Sequence, residues 1–343
     1  MKKLYLTDLN PSTTYGLNHE LWCIVDALMI GHATGRNIMV TGFYPDYNSK
    51  FKIDLGQVID LVRTNEMLTR EGFSVQLEPY NVNIRWTKSR YQNPCFRHFD
   101  TGGAAGKDRF FNMIRALSAE TAKNVDLYTT FVWPLMHPYG YDKDLSDMST
   151  HIFLCLVPSS LIDLCVQQRK KDLGLAVEND DDFLAIHMRL EDDWVTHLTL
   201  KYGGTPHFGK TEDEFSREMF DQIKSGIAAA AGDAVTTQQQ QTNGKIFVAT
   251  GLGKTSQKNN YLLDELRDVF GGRICVKMEH ACEWKDLFLG MENNATGREI
   301  EGFIDFLICL RAKRAILATY SSFSVSLKYC RDLLGLKSVL YQG

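Results

Sequence analysis

Short apolar runs alternate along this chain with stretches in which apolar residues recur every three or four positions. A run of four to six apolar residues bounded by polar ones reads as a buried strand, and the longer recurrence reads as an amphipathic helix. The first run covers residues 3–6. A polar loop follows, and Leu21, Ile24, Val25, Leu28 and Met29 then predict a helix over 20–31. Ile38, Met39 and Val40 predict a second strand over 36–41. A strand, loop, helix and strand in this order indicate a parallel sheet. A helix is expected over 55–64 and another over 108–124, with irregular, turn-rich chain over 74–106 between them. Pro158-Ser159-Ser160 opens a further helix to residue 171.

Residues 178–182 (Glu-Asn-Asp-Asp-Asp) contain no apolar side chain. They read as a hinge, which gives an N-terminal domain over 1–177 and a C-terminal domain over 178–343. Beyond the hinge the alternation restarts: strands over 183–188, 245–250, 273–277 and 315–318, and helices over 212–230, 260–270, 299–311 and 325–334. Thr211 and Glu214 form a capping box at the first of these helices. Residues 232–244, with four successive glutamines, are of low complexity. No internal repeat is evident. The expected fold is α/β, with two doubly wound, Rossmann-like domains facing a central cleft that would suit a nucleotide-type ligand.

Composition narrows the function little. Of 343 residues, 44% are hydrophobic and 23% charged, as in an ordinary globular protein, and the net charge of −4 gives no reason to expect nucleic acid. The eight cysteines form no Cys-x-x-Cys pair and no zinc-type spacing, which favours a reducing compartment. No run approaches the ~20 apolar residues of a membrane helix. No signal-peptide core follows Met1-Lys2-Lys3. The expectation is a cytoplasmic chain, or a lumenal one had a targeting segment been removed.

The densest chemistry lies in Phe183-Leu184-Ala185-Ile186-His187-Met188-Arg189-Leu190-Glu191-Asp192-Asp193-Trp194. A strand ending in His-x-Arg presents two donors at the carboxyl edge of a sheet, where open α/β sheets bind ligands. The planar fork of Arg189 suits a phosphate, or else pairs with Glu191 or Asp193. Ser321-Ser322-Phe323-Ser324 follows an apolar strand and opens a helix, where hydroxyls and N–H groups make an anion site; one of these serines could equally be a plain N-cap. Asp305, in a largely apolar helix, needs a partner. It could pair with Arg298 or Arg311, or bond to a nucleobase or ribose. Gly16-Leu17-Asn18-His19-Glu20 joins the first strand to the first helix, with Asn18 as a cap and Glu20 or His19 as a possible base. His32, His98 and His280 read as structural. Gly251-Leu252-Gly253-Lys254-Thr255 resembles half a P-loop, but Val248 stands where its first glycine belongs. The same segment fails as a dinucleotide fingerprint, because Ser256 takes the last glycine position.

In this order, Gly16-Leu17-Asn18, His187-Met188-Arg189 with Glu191 and Asp193, Phe247-Val248-Ala249-Thr250, Asp305 and Ser321-Ser322-Phe323-Ser324 resemble the GDP-fucose fucosyltransferases of the protein O-fucosyltransferase type, including their plant relatives. The His-x-Arg element is also similar to that of the α1,6-fucosyltransferases. The resemblance implies a GT-B fold and inverting, metal-independent transfer of L-fucose from GDP-fucose to a glycan or protein acceptor, with no cofactor, no metal and no nucleic-acid partner. It implies Arg189, Asn18 and Glu20 as catalytic residues. For the donor it implies Gly16, Leu17, His187, Arg189, Asp305, Ser321, Ser322, Phe323 and Ser324. Arg189 would hold the β-phosphate, the Ser-Ser-Phe segment would line the pyrophosphate, and Asp305 would read the base. The sequence departs from the family where His19-Glu20 replaces Asn-Gln and Met188 replaces Leu or Val. These departures leave open UDP-xylose or another UDP- or GDP-deoxysugar such as rhamnose. Two further readings stand beside this one: a P-loop-like NTPase or kinase using Lys254, and a non-catalytic nucleotide-sugar or glycan-binding protein.

Overall fold

The structure is a computed structural model of the chain that describes residues 2–7, 17–40, 54–79, 90–92, 103–121, 124–128, 143–175, 182–191, 195, 211–232, 244–252, 258–276, 294–319 and 321–341. The chain divides into two compact units, residues 1–164 with 283–304, and residues 165–282 with 305–343. Among the described residues, each unit holds one five-stranded, wholly parallel sheet. This division differs from one at residues 177/178. It falls earlier, inside a helix, and residues 283–304 belong with the first unit. The residues just before 178 explain part of this. Leu173 and Leu175 are buried, and the Leu173 carbonyl accepts from Cys275 Sγ at 3.3 Å, within the second unit. Apolar burial thus carries the second unit upstream of the acidic run.

In the first unit, strands β1 (Lys2–Thr7), β2 (Arg36–Val40), β3 (Leu77–Pro79), β4 (Arg90–Gln92) and β5 (Asn124–Tyr128) lie in the order β3-β2-β1-β5-β4. The helices are α1 (Leu17–Thr34), α2 (Leu55–Val58), α3 (Leu61–Arg70), α4 (Gly103–Ala119), α5 (Lys143–Cys155) and α6 (Ser160–Asp172), the last running on into the second unit. Helix α1 is buried along most of its length, and Trp22 stacks on Phe153 of α5 at 4.4 Å. It meets β2 so closely that a Cβ at Gly31 would lie 2.5 Å from the Arg36 carbonyl oxygen. The single helix expected over 55–64 is two helices instead. Ile59 forms a backbone bridge with Pro158, and Asp60 accepts from the Arg63 N–H to cap a fresh start.

In the second unit, β6 (Leu184–His187), β7 (Ile246–Ala249), β8 (Ile274–Val276), β9 (Arg314–Ala318) and β10 (Lys337–Tyr341) lie in the order β10-β9-β6-β7-β8. Its helices are α7 (Glu212–Gly232), α8 (Asn260–Phe270), α9 (Asn294–Arg311), whose first half belongs to the other unit, and α10 (Ser322–Leu333). The capping box is present: Glu214 N–H donates to Thr211 Oγ1 at 3.3 Å, and Thr211 N–H donates to Glu214 Oε2 at 2.7 Å. Phe215, Met219, Phe220, Ile223 and Ile227 recur at helical spacing and bury α7 against Ile186, Val248 and Ile316 of the sheet. Arg331, fully buried in α10, donates to the carbonyls of Cys309, Leu310 and Ala312. A cation is favourable at the end of α9, where those carbonyls lack helical partners. No helix among the described residues is long and apolar enough to cross a membrane.

Candidate nucleotide-sugar site

In an open parallel sheet, ligands bind outside the carboxyl ends of the strands where the strand order reverses. In the second unit that point lies between β6 and β9, which pair directly (Ile186 with Ile316). Strand β6 ends at His187 and β9 at Ala318, so the His-x-Arg segment and the serine-rich turn come together there. Two-residue alternation does the sorting. Met188 is fully buried and its N–H donates to Ala249 of β7, while the Arg189 side chain keeps 30% of its surface exposed.

His187 is locked from three sides. Its Nδ1 lies 2.7 Å from Ser324 Oγ, its ring stacks on Phe323 at 4.3 Å, and its carbonyl accepts from the Tyr341 hydroxyl at 2.9 Å. Ser324 Oγ also accepts from Ala318 N–H at 2.9 Å, which ties the turn after β9 to the end of β6. Phe323 meets Phe306 of α9 edge to face at 5.4 Å. Tyr341 accepts in turn from the Arg189 N–H at 3.4 Å. Burial pushes its phenol well above the usual range, so Tyr341 stays a neutral donor.

Arg189 pairs with Glu191 at 3.1 Å, the salt bridge that stood as the alternative to a phosphate. The other Glu191 oxygen accepts from Gly251 N–H. A Cβ at Gly251 would lie 2.7 Å from that oxygen, so glycine here serves the approach of Glu191. This weakens the P-loop reading. Gly251 N–H is spent on a carboxylate and Leu252 N–H on Thr250 Oγ1 at 3.2 Å, so neither is left to cradle a phosphate. Residues 253–257, including Lys254, lie outside the described residues.

Ser321 is the N-cap of α10 in extended conformation, yet its side chain makes no capping hydrogen bond. A helix has no internal acceptors for its first N–H groups. Among the described residues no side chain caps this end, and free N–H groups with the positive end of a helix dipole are the features that suit an anion. Ser321 is therefore not a plain cap. Nothing is described for the Ser322 side chain.

Asp305 faces a partner other than the two expected from the sequence, and the Arg298 side chain lies outside the described residues. The Asp305 carboxylate is 4% exposed and lies 3.9 Å from Nη1 of the fully buried Arg169 on α6, while Arg311 is exposed. The sequence signal for this partner is weak, because Arg169 sits in a run of basic residues, Arg169-Lys170-Lys171, that resembles a solvated helix end.

The remaining expected residues belong to the start of α1. Gly16 lies outside the described residues, as does the His19 side chain. Helix α1 already begins at Leu17, so Asn18 sits inside its first turn and not at the cap. The cap function passes to a residue distant in sequence: Leu17 N–H donates to Glu299 Oε2 of α9 at 3.1 Å. Glu20 is 4% exposed, its Oε2 accepts no hydrogen bond among the described residues, and burial pushes its carboxyl up to about 8. Among the described residues there is no group of three or more His, Cys, Asp or Glu side chains that could hold a metal ion.

No family model and no curated protein matches the chain by sequence. Its fold, however, is shared with solved fucosyltransferases. POFUT1 in complex with GDP-fucose superposes with a TM-score of 0.54 at 13% identity, covering 99% of this chain and 98% of that one. The fucosyltransferase NodZ from Bradyrhizobium superposes with a TM-score of 0.56 at 12% identity, covering 97% and 94%. NodZ α-1,6-fucosyltransferase co-crystallised with GDP gives 0.53 at 12% identity, covering 97% and 93%. The chain therefore has the GT-B fold of these enzymes along nearly its whole length.

Proposed function

We propose that this chain is an inverting, metal-independent glycosyltransferase that moves L-fucose from GDP-fucose to a glycan or protein acceptor. The observation that carries this reading is one switch point at which the strand leading to a Glu191-oriented arginine meets a helix N-terminus that no described side chain caps. Proteins of the same fold have been crystallised with GDP-fucose and with GDP.

The chemistry follows from charge. Breaking the bond between fucose and the diphosphate builds negative charge on the β-phosphate. Arg189 and the first N–H groups of α10 are fixed before the reaction begins and strengthen their hold as that charge grows, which is how preorganised donors lower a barrier. His187 and Phe323 would hold the donor in place and Asp305 would read the base. Asn18 and Glu20 would serve the sugar and acceptor side. With its carboxyl raised to about 8, Glu20 is a neutral acid at pH 7 and not a ready base. The burden of catalysis therefore falls on the leaving group.

Release of GDP from GDP-fucose, measured with EDTA present, tests the reading. Turnover should persist in EDTA. Loss of turnover that magnesium or manganese restores would point to metal-bridged phosphates instead. Faster turnover of UDP-xylose would change the donor and keep the fold. Tight GDP-fucose binding with no GDP release would identify a binding protein.

A further inference from the structure

The second unit carries a groove that the candidate site does not use. About 760 Å³ of open space lies between α7 and the outer strand β10. Its floor is apolar: Val339 is 54% exposed and Leu340 38%, and Ile316 lies beneath. Its wall is charged. Glu214, Glu218 and Asp221 line it at spacings of four and three residues, one face of α7. Arg217 is the only cation among the described lining residues, and its guanidinium is drawn to Glu265 of α8. Asp221 also pairs with Lys224, which itself bonds Glu265.

We infer that this groove docks a basic amphipathic helix of a partner protein. A helix laid beside α7 would cover Val339 with its apolar face and set lysines or arginines against the carboxylate row. A strand added to the β10 edge would extend the sheet and leave the Val339 face open. A second copy of the chain bound through the same face would oppose one carboxylate row to another. Tyr341, at the inner end of the groove, is the residue whose hydroxyl bonds the His187 carbonyl and the Arg189 N–H.

The probe is a fluorescent peptide of about 18 residues, with leucines at i, i+3, i+4 and i+7 and lysines elsewhere, titrated into the full chain. Its counterpart carries glutamates in place of the lysines. The lysine peptide should bind and the glutamate peptide should not. Val339→Asp separates docking from general attraction to an acidic protein, because it adds a negative charge while breaking the apolar floor. Docking predicts binding about tenfold weaker in this variant, and non-specific adsorption predicts equal or tighter binding. Glu218→Lys should also weaken binding, with the melting temperatures of both variants near that of the wild type. Equal binding of both peptides, or affinity unchanged by Val339→Asp, overturns the inference. So does sedimentation showing that the chain self-associates through this face and that Val339→Asp abolishes the association.

Discussion

Glu20 in the first unit and Glu191 in the second are buried to the same degree, each 4% exposed, yet they live in opposite surroundings. Glu191 joins Arg189 to Gly251 N–H. Glu20 has an oxygen with no donor among the described residues, and desolvation keeps it protonated near neutral pH. The helix ends differ in the same sense. Glu299 caps α1 through Leu17 N–H, whereas the side chain of Ser321, the N-cap residue of α10, makes no capping hydrogen bond. The strand orders, β3-β2-β1-β5-β4 and β10-β9-β6-β7-β8, give each sheet a reversal point. At the reversal point of the second unit, the described residues leave the N-terminus of α10 without a side-chain cap. Burial alone does not make a site; the counter-charge and the cap decide.

The largest effect expected from this contrast is on stability. Between pH 4.5 and about 8 the folded state holds the Glu20 proton and the unfolded state has released it. Stability should therefore fall as pH rises through that window, by about 1.4 kcal/mol per pH unit, and level off above it. Urea unfolding of Glu20→Gln should show this slope flattened. An unchanged slope would remove Glu20 from the contrast.

Arg189→Ala comes next. Loss of a preorganised donor costs on the order of 100- to 1000-fold in turnover. Arg189→Lys should recover only part of it, since an ammonium lacks the fork. If Arg189 serves Glu191 alone, the melting temperature will fall and turnover per folded molecule will stay. Gly251→Ala should destabilise by about 1–3 kcal/mol, because its Cβ must displace the Glu191 carboxylate; thermal unfolding reads this, and GDP affinity should fall with it. Tyr341→Phe removes the hydroxyl that bridges His187 and Arg189, at about 1 kcal/mol, and turnover of GDP-fucose should drop about tenfold.

Much of this contrast is legible in the chain. His187 and Arg189 are marked by an apolar run that stops at a donor, and the strand–helix alternation locates β1, β2 and β6 to β9. Strand β10 escapes the pattern. It is the outer strand, and Lys337-Ser338-Val339-Leu340 is largely exposed, so its residues never separate an inside from an outside. Helix α5 and strand β5 escape it as well; Asn124, expected to end a helix, starts β5. The described residues form two sheets of five parallel strands without a visible sequence repeat, because pattern and not identity builds a doubly wound unit. In the site, what the sequence hides is pairing between remote residues: Tyr341 with His187, Arg169 with Asp305, and Glu299 with Leu17. Local periodicity carries no information about such partners.

The smallest effect concerns the capped helix. Glu299→Gln removes a charge from the α1 N-terminus, worth about 0.3–1 kcal/mol, and should lower the melting temperature slightly.

Calorimetric titration of GDP into the wild type, Arg189→Ala and Glu299→Gln decides whether the phosphates rest at the end of β6. GDP should bind the wild type, Arg189→Ala should weaken it at least about tenfold, and Glu299→Gln should leave it unchanged. Unaltered affinity in Arg189→Ala, together with a change in Glu299→Gln, would place the anion at α1 and rule out the site at β6.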